Sequence, residues 1–360
     1  MLSADPELDP EFDLDGTRHD LQALLRTALT AALPLTRLTE IMDAESDEDP
    51  ASWRRLADIG VLGLSAPSEH GGAGEGILTL AVAAEEVGYA AVPGAYIGHV
   101  LAVLALGEGG DDDQRRHWLP LLAGGHRHAT VALSGHDTPE RTVRGLSGTV
   151  PVVPGIAGAD LVVVSTAEGL SAVPVAAPGV STRPVAGIDR TRRLGSLTLE
   201  NAAHTPLAGG RVLARRVLDA ARVLVAADAH GGARRCLDLG LAHARERVQF
   251  GKRIGDFQAV RHQLADLATL IEPGRGLFWL AARRLDARDE RGGTSAAAAK
   301  AHLTEVFIAA ARHCVRLHGA LGYTWDGPVN PWVKRAPLDH SLYGTPRSLR
   351  AVVAADLGWG

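Results

Sequence analysis

The sequence predicts an α+β protein whose strands are confined to the middle of the chain, and three observations predict it. Apolar residues recur at helical spacing from about residue 21 to 122, in short β-type runs from about 129 to 208, and at helical spacing again from 209 onward. The middle runs are separated by Gly, Pro and Asp with no room for helices between them, which implies antiparallel pairing in a sandwich or barrel. At 360 residues, 46% apolar and 22% charged, the chain is long enough to form two or three packed units.

Residues 1–16 carry Asp5, Glu7, Asp9, Glu11, Asp13 and Asp15 with no base before Arg18, so they read as a flexible acidic arm rather than a targeting signal. Residues 17–127 form the first helical unit. Leu21, Leu24, Leu25 and Leu29 share one face, as do Ile77, Leu80, Ala81 and Ala84, and Pro67 to Gly74 is a loop. The run Ile77 to Val87 is too short to cross a bilayer and holds Glu85 and Glu86. Residues 128–208 are the β unit, with strands expected at Val131–Leu133, Thr149–Val153, Leu161–Ser165, Ala172–Val175 and Leu197–Leu199. Residues 209–360 return to helices, expected over 212–248, 256–290 and 295–318, with Pro273-Gly274 breaking the second and Gly319 stopping the third.

A net charge of −5 argues against a nucleic-acid binder that relies on a basic surface. Two cysteines, Cys236 and Cys314, exclude a disulfide scaffold and a cysteine-rich zinc module. His126-Arg127-His128 has metal-like spacing, but no neighbouring Cys or acid completes a ligand set. These features describe a cytoplasmic protein without a metal site and with no membrane or nucleic-acid partner.

The sharpest chemical string is Arg245 to Gln258. Three arginines and Lys252 lie close to the mouth of a helix, which suits a pyrophosphate; Phe250 can cover an adenine and Gln258 can bond a phosphate or ribose. Charge counting alone favours a solvated basic loop.

Arg247-x-Gln249-Phe250-Gly251, followed by Ile254 and Phe257-Gln258-Ala259, closely resembles the flavin-binding signature of acyl-CoA dehydrogenases. The resemblance covers nearly the whole chain. It includes Leu56-Ala57-x-Ile59-Gly60, Pro67-x-Glu69-x-Gly71-Gly72-x-Gly74, Glu85-Glu86-Val87-Gly88, and Leu317-His318-Gly319-Ala320-Leu321-Gly322-Tyr323-Thr324-Trp325-Asp326. It implies an N-terminal α domain, a middle β domain and a C-terminal four-helix bundle, with FAD bound between domains and across a subunit interface. It also implies removal of a proton α to a thioester carbonyl while the β-carbon gives hydride to the flavin. Arg247, Phe250, Gln258, Arg316, His318, Gly319, Gly322 and Thr345 are the cofactor-binding positions so implied, with arginine at 316 where the family usually has glutamine. Arg222 is expected to touch the substrate, an acyl-CoA or acyl-carrier-protein thioester.

The family's glutamate base is missing. Its usual position near the C-terminus, before Gly344-Thr345, is Tyr343; the other known position, in Leu218-Asp219-Ala220-Ala221-Arg222, is Ala221. The flavin-contacting strand is replaced by Leu133 to Thr138 and the tryptophan strand by Thr149 to Pro154. Asp228, Asp339 and His340 are alternative acids or bases, read by default as solvated or capping groups. Short length, absent base, Gly158 to Val164 and Asp189 to Leu194 resemble a branch in which some members are the partner subunit of an α2β2 dehydrogenase. Three readings follow: an FAD-dependent acyl-thioester dehydrogenase, alone or beside a glutamate-bearing paralogue; a non-catalytic, FAD-sharing partner; or a flavin oxidase or monooxygenase on the same fold. A homodimer, tetramer or heterotetramer is expected, with Leu218, Val225, Leu237 and Leu241 facing a partner, and an electron-accepting flavoprotein is a further partner.

Overall fold

The computed structural model describes residues 14–46, 49–133, 140–142 (backbone) and 145–359. Most of the acidic arm therefore lies outside the described residues. Its end does not: Leu14 is buried and Asp15 accepts a hydrogen bond from the Arg18 amide, capping α1 (Gly16–Ala32). Five more helices follow: α2 (Leu35–Asp43), α3 (Pro50–Ile59), α4 (Ile77–Tyr89), α5 (Tyr96–Gly109) and α6 (Asp112–Ala123). Local chemistry sets their starts. Asp49 caps α3 with Pro50 in its first turn, and Asp111 and Gln114 form a reciprocal capping box on α6.

Helix α4 is apolar on every side, and all thirteen of its residues are buried. Its two glutamates must therefore be paired. Glu85 accepts from His230 Nδ1 (3.0 Å), Arg275 (3.0 Å) and Arg234 (3.2 Å), and Glu86 is bound by Arg26.

The β region holds two four-stranded sheets built from β1 (Ala129–Ala132), β2 (Glu140–Thr142), β3 (Gly145–Pro154), β4 (Leu161–Ser165), β5 (Leu170–Pro174), β6 (Val180–Val185), β7 (Leu194–Ala202) and β8 (Thr205–Pro206). One sheet runs β1-β4-β5-β8, the other β2-β3-β7-β6. All five expected strands are present, but the pairing is not wholly antiparallel. β1 and β4 run parallel, with Val131 opposite Val163, because β2 and β3 leave for the second sheet between them. The first sheet is buried on both faces: Val131, Leu161 and Val163 join the helical core, while Ala132, Val162 and Val164 pack on Leu146, Val150 and Leu197 of the second sheet.

The C-terminal helices are α7 (Gly210–Glu246), α8 (Gln258–Ile271), α9 (Gly274–Asp286), α10 (Gly292–His318), α11 (Ala320–Tyr323), α12 (Asn330–Ser341) and α13 (Pro346–Asp356). A two-stranded hairpin, β9 (Val248–Gln249) with β10 (Lys252–Arg253), sits between α7 and α8. Pro273 divides α8 from α9, as its missing N–H requires. The face expected to meet a partner is partly a face toward the chain's own core: Val225 and Leu237 are buried within it. With 37 residues, α7 is long enough to be enclosed by α4, α5, α9 and α10.

Two glycines let α4 and α7 cross closely. A Cβ on Gly88 would lie 2.0 Å from the Asp228 carbonyl oxygen, and one on Gly231 would lie 1.8 Å from that of Glu85. Both obstacles are backbone and cannot rotate away. Gly231→Ala should therefore cost about 1–3 kcal/mol through forced separation of the helices, despite alanine's better helix propensity. Urea denaturation checks this; a stabilised variant would show that the crossing can relax.

Candidate functional site

The end of α7 carries Arg247 at its C-cap, and the end of α10 leads through His318 into Gly319. The rings of His243 and His318 stack at 4.2 Å, bringing the two helix ends together. This pairing places Arg247, Phe250 and Gln258 on the same flank of the molecule as His318 and Gly319. His318 Nδ1 also meets the Cys314 carbonyl at 2.9 Å, so the imidazole is occupied within its own helix end.

The surface so formed is open. Phe250 is 92% exposed, and Arg247, Gln258, Arg316 and Gly319 are exposed as well. Phe250 is held at φ 53° in the β9–β10 turn, ahead of Gly251 at φ 78°, so its ring stands out from the surface and faces Phe257 edge-on, with centroids 6.3 Å apart. Gln258 opens α8, whose N-terminus has no side-chain cap. Gly319 takes φ 60°, ψ −135°, and a Cβ there would meet nothing within 4 Å, so the conformation rather than crowding selects glycine. Gly322 is different: a Cβ there would lie 2.5 Å from the Val315 carbonyl oxygen, a packing requirement. Two guanidiniums, an uncapped helix start and a projecting aromatic ring fit a dinucleotide such as FAD.

The two positions for a base meet elsewhere. Ala221 lies inside α7 with no exposed surface. The adjoining Arg222 donates from Nη1 to Asp219 Oδ1 (2.7 Å) and from Nε to the Tyr343 carbonyl (3.3 Å). Burial lowers the Arg222 pKa, an effect Asp219 opposes. Lys300, fully buried on α10, donates from Nζ to the carbonyls of His340 (2.9 Å) and Gly344. Burial brings its pKa down to about 8. Two buried cations thus hold the backbone of the 340–344 turn, and Tyr343 sits there at φ 55°, with burial pushing its phenol up to about 12. Thr345 closes the turn by capping α13 through the Ser348 amide.

Tyr343 lines a cavity of about 490 Å³ with Val131, Leu133, Val152, Leu338 and Leu342. A second cavity of about 900 Å³ is lined by Arg316, Gly322, Tyr323, Leu267 and Leu270. The two share Ile188. One face of α12 also walls both, through Asn330, Val333 and Lys334 and then Pro337, Leu338 and Ser341. The eleven 1.5 Å rises from Asn330 to Ser341 set the two cavities along about 16 Å of this helix. The walls of both are mainly apolar, with Arg316 lining the larger and Tyr343 the smaller. A larger cleft, about 1160 Å³, between α3 and the β6–β7 connection contains none of the candidate residues.

Neither alternative acid is solvated. Asp228 receives Arg335 at two points, from Nη2 (2.7 Å) and Nε (3.0 Å), with no exposure. Asp339 lies on α12, not in a loop; it is fully buried and accepts from Arg192 Nη2 (2.6 Å). His340, its neighbour, is also on α12. Sequence reading passed over Lys300 and Arg335. The available signal for Lys300 was a single lysine inside the apolar stretch Ala296–Leu303. Residues 134–138, which stand in place of the family's flavin-contacting strand, lie outside the described residues. Among the described residues no group of three or more His, Cys, Asp or Glu is placed to hold a metal ion, and no helix is long and apolar enough to cross a membrane.

Residues 18–126 match the model of the acyl-CoA dehydrogenase N-terminal domain, and residues 208–358 that of the C-terminal domain. The chain is 34% identical over 307 residues to the acyl-CoA dehydrogenase IpdE2 of Mycolicibacterium smegmatis, covering 85% of this chain and 88% of that protein. This chain is an acyl-CoA dehydrogenase family member. It belongs with oxidoreductases of a flavoprotein family. Among solved structures, the Tcur3481-Tcur3483 steroid ACAD is 32% identical with a TM-score of 0.87, covering 95% of this chain and 98% of that one. The ChsE4-ChsE5 complex from Mycobacterium tuberculosis is 26% identical with a TM-score of 0.89, covering 97% and 99%. The fold is thus the α+β acyl-CoA dehydrogenase fold.

Proposed function

We propose that this chain is one subunit of an FAD-dependent acyl-thioester dehydrogenase, working beside a second chain that carries the glutamate base. The observation that carries this reading is the convergence of Ala221 and Tyr343 through Arg222 on one turn, beside a largely apolar cavity, with a carboxylate at neither position. Two similar structures, ChsE4-ChsE5 and Tcur3481-Tcur3483, are named as pairs of chains, which supports a heteromer.

FAD, when bound, supplies the hydride acceptor for oxidation at the β-carbon. Arg247 and Arg316 would meet its diphosphate, the Phe250 ring its adenine, and the Gln258 amide a ribose or phosphate oxygen. In the smaller cavity the apolar walls around Tyr343 exclude water. Arg222 and Lys300 hold the turn that carries residue 343. Asp228 and Asp339 are excluded as α-proton acceptors because each is enclosed and tied to a guanidinium. The acyl group is bound as a thioester of coenzyme A or of a carrier protein.

Co-expression with a glutamate-bearing paralogue tests this reading. The pair should co-purify, retain FAD and dehydrogenate an acyl-CoA, while the chain alone should show little turnover. Robust turnover by the chain alone would overturn the two-chain reading. Arg247→Ala should weaken FAD binding by roughly 1.5–3 kcal/mol, about ten- to a hundredfold, through loss of a charge-assisted contact. Unchanged flavin content and affinity in that variant would remove Arg247 from the site.

A further inference from the structure

A buried ammonium must be held by a counter-charge or by oxygen dipoles. Lys300, on α10 with no exposed surface, is held by dipoles: Nζ donates to the carbonyls of His340 (2.9 Å) and Gly344. The first belongs to the last turn of α12, where carbonyls lack helical partners and carry the negative end of the helix dipole. The second directly precedes Thr345, the cap of α13. One side chain thus spans the whole turn between two helices. Arg222, from α7, takes the Tyr343 carbonyl between them with Nε (3.3 Å). Arg222 is itself fixed by Asp219 (2.7 Å), which also accepts from Arg215 Nε (2.8 Å).

The turn needs such restraint. Tyr343 lies at φ 55° and Gly344 at φ 113°. A left-handed backbone is disfavoured for a bulky side chain, and a turn free to relax to negative φ would re-aim the ring away from Val131, Leu133 and Leu342. The flanking helices do not impose it: Leu342 already ends α12 in an extended conformation, and α13 begins only at Pro346. We propose that Lys300 is a positioning residue, whose two carbonyl bonds hold residue 343 left-handed with its side chain in the smaller cavity, Arg222 being the second tie. The functional meaning rests on the reading of that cavity as the place of the acyl thioester. Lys300 then sets where any side chain at position 343 stands relative to the substrate.

Lysine suits the task. Its ammonium offers three N–H donors at the end of a long stem, so from a neighbouring helix it can take two carbonyls four residues apart. Both ties come from long helices, α7 and α10, which end at Arg247 and His318 on the surface that fits a dinucleotide. The turn is therefore fixed to the same frame as the cofactor-side residues, rather than to α12 and α13 alone.

The test places a thiol on the turn through Tyr343→Cys and labels the native chain with iodoacetamide, resolved by site in mass spectrometry; it uses neither flavin nor substrate. The native thiols Cys236 and Cys314, 0% and 1% exposed, report global opening, while the introduced thiol reports the turn. Adding Lys300→Met, which fills the place of the stem and removes every donor, should speed labelling at position 343 by about tenfold or more, with both native thiols still slow. Equal rates at position 343 with and without Lys300, or an increase shared by all three thiols, would overturn the proposal. Should Lys300→Met fail to fold, the Tyr343→Cys chain alone decides: labelling at position 343 as fast as free cysteine overturns it. In the Tyr343→Glu chain, Lys300→Met should lower kcat about ten- to a hundredfold with KM and flavin content unchanged, and an unchanged kcat would also overturn it. A Tyr343→Glu chain that is inactive with Lys300 in place counts against the reading of the cavity, and the thiol rates still decide the role of Lys300.

Discussion

Arg335→Leu should cost the chain about 3–5 kcal/mol of folding free energy, enough to remove a large part of an ordinary domain's stability. Arg335 is 1% exposed and makes two hydrogen bonds to Asp228, one to the Val92 carbonyl and one to Thr191. Leucine leaves the Asp228 charge buried beside Asp339, with Arg192 as its remaining cation at 3.6 Å. Urea denaturation at pH 7 reads the loss. The double variant Arg335→Leu/Asp228→Leu removes the stranded charge and should recover much of it, since an apolar replacement of a buried pair is often nearly neutral. A single-variant loss below about 1 kcal/mol would mean that water reaches this cluster.

Tyr343→Glu should give the chain acyl-CoA dehydrogenation of its own, about 10²–10⁴-fold above the background of the unmodified, FAD-loaded chain. Ala221→Glu looks the more conservative rescue on sequence grounds, because it restores a helix position beside Arg222. The structure reverses that order. Ala221 has no exposed surface, so a glutamate there must displace its neighbours, whereas the Tyr343 side chain already lines the cavity on a turn held by Arg222 and Lys300. Some stability is lost by placing a carboxylate against Leu133 and Leu342. Initial rates with a dye acceptor check the gain. A folded, flavin-loaded Tyr343→Glu chain without activity would show that residue 343 does not face the substrate's α-carbon.

Much of the architecture was legible because periodicity reports which face a residue buries. The break at Pro273, the stop at Gly319 and all five expected strands follow from local rules about N–H groups, left-handed glycines and alternation. The parallel β1–β4 pair did not, because strand direction depends on where β2 and β3 travel between them. The surface proposed for flavin was legible as a motif, since Arg247, Phe250 and Gln258 lie within twelve residues. Its completion by His318 and Gly319 rests on the ring stack between two helix ends.

The acids divide along the same line. The expectation that Tyr343 and Ala221 stand where a glutamate is usual comes from the residues themselves and was available from sequence alone. What became of Asp228 and Asp339 was decided only in three dimensions. They lie 111 residues apart, and their other partners, Arg192 and Asp189, come from a third segment. A charge is solvated or sealed according to what packs over it, and local spacing carries no information about a neighbour brought in from another element. Sequence thus determined the fold class and the residues proposed to meet flavin and to replace the base; tertiary packing turned two presumed solvated acids into buried carboxyls, each paired with a guanidinium.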